Sequence, residues 1–273
     1  MKQRVAICLF GAMGKKVGSF LRADELYREG DYINFNATFN CTKKHILEVN
    51  KDTYDIDFFL HGWNADLEAK LNEIYTPKKS MFEDNNLYKQ EIQAKCKVPS
   101  QYAGISRTLS MNKSILMKEQ YEKEANIEYH RVFLYRYDMI LCKDINFNNF
   151  NEPYVTYMDS CPVGAKSGDT FFYMPNEAAS TYKNLYYALD TGYQYYVHRW
   201  MSQYLEQFCN QRVQEIDVHA GKDYEHARKV NELSIIPGRM SLEQLSQYGF
   251  TQQDIEGCCA GWNPVNGNAD LNA

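Results

Sequence analysis

The stretch His130-Arg131-Val132-Phe133-Leu134-Tyr135-Arg136-Tyr137-Asp138-Met139-Ile140-Leu141-Cys142 decides how this chain is read. Its β-branched and aromatic residues are those of a strand. It rises out of an amphipathic helix and delivers Arg136 and Asp138 near its far end. Residues two apart on a strand share a side, so a cation and an anion project together. In an open α/β sheet, ligands bind at the carboxyl ends of strands. An acidic residue there can hold a divalent metal, and the metal can hold a phosphate. The plain alternative is a salt-bridged strand end with no chemistry.

Upstream, residues 4–10 form a short, continuous apolar run closed by Gly11-Ala12-Met13-Gly14, the pattern of a buried first strand. Glycine there lets backbone approach a ligand closely. The spacing is not GxGxxG, so the turn alone assigns nothing. Residues 56–60 read as a second buried strand with His61, Gly62 and Trp63 at its carboxyl end. Trp63 either stacks on a base or sugar face or plugs the strand–helix corner. Asn64 is positioned to cap a helix over 65–74, closed by Pro77, and 79–83 suit a short third strand. After a polar excursion over 85–99, Ser106 is placed to cap a long helix over 107–126. The positive end of that helix suits an anion, and Arg107 adds a full charge.

Downstream, an asparagine-rich link at 146–151 leads to strand-like pieces at 154–158 and 170–173. Between them Gly164-Ala165-Lys166-Ser167 is similar to a phosphate loop, but GxxxxGK[ST] is absent and a P-loop is rejected. Asn176 caps a helix running to about 190, and Gly192 separates it from a second over 194–212. The tail reads as a helical wrap. Strands alternating with helices predict an α/β fold with a mostly parallel Rossmann-type sheet and helices on both faces. Residues 1–215 are read as the catalytic domain and 216–273 as an extension packed on it.

Composition sets bounds. The chain is 44% hydrophobic and 24% charged, which are globular values, and its net charge of −5 argues against a general nucleic-acid binder. The 22 tyrosines suit a carbohydrate-handling surface, although an AT-rich genome would enrich them equally. The eight cysteines contain no CxxC pair and fit a reducing compartment. No apolar run reaches membrane length, and a cytoplasmic location is expected, which would leave the sequons at Asn36, Asn40 and Asn112 unused.

Four segments carry a resemblance: Tyr54-Asp55-Ile56-Asp57-Phe58-Phe59-Leu60-His61-Gly62-Trp63-Asn64, Glu73-Ile74-Tyr75-Thr76-Pro77-Lys78, Tyr135-Arg136-Tyr137-Asp138 and Gly168-Asp169-Thr170-Phe171-Phe172-Tyr173. In order and spacing they resemble a group of GT-A-type glycosyltransferases. That group is found in bacterial surface-polysaccharide clusters and in large DNA viruses that glycosylate their capsids. The match covers roughly residues 4–210. Two departures stand out: Arg136 occupies the first position of the usual Asp-x-Asp, and Lys15 and Lys16 follow Gly14 where the group has an arginine.

The resemblance implies transfer of a sugar from a nucleotide-sugar, by default a UDP-sugar, to a glycan or glycoprotein hydroxyl. Asp138 would ligate Mn2+ or Mg2+ bridging the diphosphate. Arg136 and Arg107 would assist as cations on the phosphates, with Ser106 at the helix start. Gly11, His61, Gly62 and Trp63 would line the nucleoside pocket. Asp169, ahead of Asp159, would take the acceptor proton if the reaction inverts. His198 or His219 would be a late metal ligand. A nucleotidyltransferase, a sugar-phosphate enzyme or a non-catalytic glycan-binding module are the competing readings.

Overall fold

A computed structural model describes residues 2–12, 33–160, 170–189, 197–219, 224–226 and 242–251. Its centre is β1 (Gln3–Gly11), flanked in parallel by β2 (Tyr54–Gly62) and β4 (Arg131–Arg136). β3 (Lys79–Phe82) extends the sheet in parallel beyond β2. On the other side β7 (Phe171–Pro175) joins β4 in antiparallel fashion. β6 (Val155–Ser160) follows antiparallel to β7, and β8 (Arg212–His219) runs parallel to β6. The seven strands lie in the order β3-β2-β1-β4-β7-β6-β8, a mixed and mostly parallel α/β sheet as the sequence predicts.

Strand alternation splits the core in two. Val5, Ile7 and Leu9 face one side, with Cys41 of α1 (Phe35–Thr42) and with Leu71 and Tyr75 of α3 (Glu68–Tyr75). Ala6, Cys8 and Phe10 face the other, with Ile105, Leu109 and Ile115 of α5 (Tyr102–Ala125). β1 is thus apolar on both faces because helices cover both. Each such large side chain contributes about 1.5–3 kcal/mol when fully buried.

The smaller elements complete the frame. α1 runs through a π-helical turn (Lys43–Leu47) into the single turn α2 (Glu48–Asn50). α4 (Lys89–Lys95) crosses the polar excursion. α6 (Asn176–Tyr182), α7 (Leu185–Ala188) and α8 (Val197–Phe208) follow β7, and α9 (Leu242–Ser246) with the turn after it packs Leu245, Tyr248 and Phe250 into the first core.

Four expectations are corrected. The run 130–142 is not one strand: the chain turns at Tyr137–Asp138, and β5 (Met139–Leu141) leaves to pair with β9 (Tyr224–His226) in a separate two-stranded sheet. The long helix starts at Tyr102 rather than 107, because the turn Pro99–Gln101 already sets its first residues. Ser106 and Arg107 therefore lie inside it and not at its positive end. Asn64 does not cap the following helix, which opens instead as a 3-10 turn over Ala65–Leu67. Finally, the helix expected over 194–212 ends at Phe208, and Arg212–His219 form β8.

Candidate functional site at the strand ends

Register places the site. Gly11 pairs with Gly62 and Phe10 with Arg136, so Gly62, Gly11 and Arg136 lie side by side at the carboxyl ends of three parallel strands. Both glycines are required. Gly11 has φ +107°, a conformation side-chain-bearing residues avoid. A Cβ on Gly62 would meet the Phe82 ring at 2.7 Å. The indole does not stand open beside them. Trp63 is 5% exposed, its backbone N–H donates to the Gly11 carbonyl at 3.1 Å, and its ring packs between His61 and Tyr88. It is the corner plug of the two readings offered for it.

Beneath this end runs a buried polar chain. The Gly11 N–H donates to Ser110 Oγ on α5 at 2.8 Å, and Ser110 Oγ lies 2.7 Å from His61 Nδ1. His61 Nε2 lies 2.9 Å from Glu83 Oε2. Lys113 donates to the same oxygen at 2.5 Å and to the Tyr88 hydroxyl at 2.7 Å, while Tyr88 donates to Glu83 Oε1 at 2.5 Å. Protonation follows from burial. Desolvation holds His61 below the usual histidine range, against the hydrogen bond to Glu83, so the ring is neutral. The hydrogen bonds from His61, then from Lys113 and Tyr88, outweigh burial and hold the Glu83 carboxyl down at about 2. Burial pushes Lys113 down, but Glu83 and Tyr88 outweigh it and the ammonium is held above its usual range. The consistent tautomer has Nε2–H donating to an ionised Glu83 and Nδ1 accepting from Ser110. His61 to Glu83 is thus a hydrogen bond, whereas Lys113 to Glu83 is the ion pair.

On the other flank, Arg136 clasps Asp138 with both arms, Nε to Oδ1 at 2.9 Å and an Nη to Oδ2 at 2.6 Å. Asp138 is 2% exposed, and the Arg136 side chain retains 17%. The outward-facing charge of this strand end is therefore the guanidinium. The Mn2+ or Mg2+ that the resemblance implies would need a carboxylate with oxygens to spare. Here the guanidinium cancels the charge of Asp138 and occupies both oxygens. Among the described residues no three His, Cys, Asp or Glu side chains gather to hold a metal. This donor set, so arranged, does not fit a divalent ion.

No family model matches this chain, and no curated protein matches it in sequence. Three solved structures are similar in outline. The 4-diphosphocytidyl-2C-methyl-D-erythritol synthase of Anaerococcus prevotii is 11% identical, with 95% of each chain covered and a TM-score of 0.42. Apo mouse xyloside xylosyltransferase 1 is 13% identical over 79% of this chain and 85% of that one, with a TM-score of 0.38. The galactosyltransferase LgtC, solved with donor and acceptor sugar analogs, is 10% identical over 78% of this chain and 73% of that one, at 0.37. Likeness this low assigns no activity.

The remaining candidates divide. Ser106 is 3% exposed and its Oγ accepts from Asn85 at 2.8 Å. An Nη of Arg107 lies 3.7 Å from Met201 Sδ, toward α8. Asp159 is 1% exposed, and its Oδ1 accepts the N–H groups of Thr170 at 3.2 Å and Phe171 at 3.4 Å, which fixes the entry to β7. In this position the carboxylate caps the start of β7. Asp169, the Gly14-Lys15-Lys16 turn and the 164–167 loop lie outside the described residues. His198 falls on α8 and His219 ends β8. Sequence reasoning missed Ser110, Glu83, Lys113 and Tyr88. Ser106, Ser110 and Lys113 do follow an i, i+4, i+7 spacing, the signal of one polar helix face.

Proposed function

We propose that this chain transfers a glycosyl group from a nucleotide-sugar, by default a UDP-sugar, to a glycan hydroxyl. The reading places that reaction in surface or capsid glycan synthesis. What carries it is the Arg136 guanidinium, fixed by Asp138 and set beside the Gly11 turn at the carboxyl end of the central strands. With Nε and one Nη held by Asp138, the remaining Nη hydrogens at the end of the guanidinium are oriented to meet phosphate oxygens. In the transfer, the acceptor oxygen attacks the anomeric carbon as the bond from that carbon to the diphosphate oxygen breaks. The electron pair leaves on the diphosphate, where Arg136 balances the developing charge. If the configuration inverts, the acceptor proton goes to a carboxylate, with Asp169 the candidate. Gly11, where a Cβ would meet nothing within 4 Å, leaves room for the nucleoside by carrying no side chain.

The test is a panel of nucleotide-sugars, each incubated with and without divalent cations. Slow release of nucleoside diphosphate by donor hydrolysis is the expected result. Pyrophosphate release from nucleoside triphosphates would instead identify a nucleotidyltransferase. A ligand present at 100 Kd adds about 2.7 kcal/mol of stability. Absence of any thermal shift with nucleotides would overturn the donor assignment and leave a glycan-binding module.

A further inference from the structure

The Ser110–His61–Glu83 chain has the order of a nucleophile, a base and an orienting acid. His61 and Ser110 are both fully buried, so neither is a group that meets substrate. What the chain reaches is backbone: its far end is the Gly11 N–H, at the one point where β1 turns out of the sheet with positive φ. Its other end is Glu83, whose N–H donates to the Gly62 carbonyl at 2.9 Å, so the same residue is tied to the neighbouring strand end. The Trp63 backbone N–H, donating to the Gly11 carbonyl, closes the loop between the two strands. The two glycines of the candidate site are thus wired to each other through α5 and through Glu83.

We propose that His61 and Ser110 are positioning residues, which preset the Gly11 and Gly62 backbone for the donor nucleotide without touching it. The Gly11 amide has its one hydrogen committed to Ser110 Oγ, so it is a fixed strut and not a phosphate donor. His61 donates to Glu83 and offers Ser110 two acceptors, Nδ1 at 2.7 Å and its own carbonyl at 3.3 Å, so the hydroxyl proton points toward His61 and its oxygen stays turned to the Gly11 amide. The ligand then meets a backbone that needs no reordering, the general advantage of a preorganised site. This inference rests on the nucleotide-sugar reading of the same strand ends.

Two measurements on the full chain separate the two ideas: amide exchange at Gly11, and affinity for a UDP-sugar. Ser110→Ala removes the acceptor. It is expected to speed Gly11 exchange by about tenfold or more and to weaken UDP-sugar binding by about tenfold, while the amide of Leu60 in mid-strand stays protected. His61→Phe should behave alike. His61→Gln keeps one donor and one acceptor, and should recover most of both readouts; it also serves if Ser110→Ala folds poorly. Unchanged Gly11 exchange in Ser110→Ala would overturn the chain itself. Faster exchange with undiminished affinity would reduce it to a structural tie and overturn positioning. Wild type that binds no nucleotide at all would sink the reading of the site and this role with it, and the exchange result would still report on the strut.

Discussion

Two buried histidines invite comparison. His61 bridges Ser110 and Glu83 at the strand ends, and His45 bridges Asp144 and Tyr248 on the opposite face. Each uses both ring nitrogens, and each partner is distant in sequence. Their surroundings differ. His61 has no exposed surface and its carboxylate partner is mostly enclosed, whereas the Asp144 side chain beside His45 is 64% exposed. His45 also sits in the π-helical turn, an irregularity that brings it toward the α9 segment, where Lys44 reaches the Tyr248 hydroxyl and Asn40 the Tyr248 carbonyl. One histidine is tied to the strand ends proposed to meet the nucleotide; the other staples a late segment onto the core. The same ring chemistry thus serves different purposes according to what lies at the ends of the chain of bonds.

The sharpest way to break that contrast is at the ligand end. Arg136→Ala should weaken UDP-sugar binding by about 10²-fold, since charged hydrogen bonds contribute about 1.5–3 kcal/mol each. His45→Ala should leave that affinity within about twofold, as titration calorimetry would show. Next is Gly62→Ala, which drives a methyl against the Phe82 ring and should cost about 1–3 kcal/mol in urea unfolding. His45→Ala should cost about 1–2 kcal/mol through two lost hydrogen bonds, with Tyr248→Phe costing about 1 or less. A smaller and more diagnostic effect is pH. His61 is held below its ordinary 6.5 by burial, so its contribution is present above that pH and falls away as the solution is acidified through the folded value. Glu83, lowered from 4.5 to about 2, loses its contribution only in stronger acid. Urea midpoints should fall between about pH 7.5 and 5.5. Burial lowers His130 as well and adds in the same direction, so the His61→Gln difference isolates the site histidine.

Much of the frame is legible from residue pattern. The apolar runs of β1 and β2, the long helix and the strand rising from it follow from period and length alone. The break at Tyr137–Asp138 is not legible, because β5 continues the same apolar composition and only its pairing with β9 separates it from β4. The antiparallel insertion of β7 is equally invisible, since strand composition carries no direction. Arg136 and Asp138 are found by their spacing, but their mutual clasp, which changes what each can do, depends on burial. Ser110 hides among Leu109 and Met111, and its role appears only where the helix crosses the end of β1. Serine on a helix otherwise reads as a neutral surface choice.

The early departure of β5 from the main sheet gives the molecule an order of assembly. Met139 finds its partner at His226, far along the chain, although it follows directly on the Arg136–Asp138 clasp. A ribosome therefore releases β1, β2 and β4 ready to stack, while the ribbon that anchors the far side of the clasp must wait for residues 224–226. Fragments that stop short of that point would display a sound central sheet with a loose corner beside Arg136.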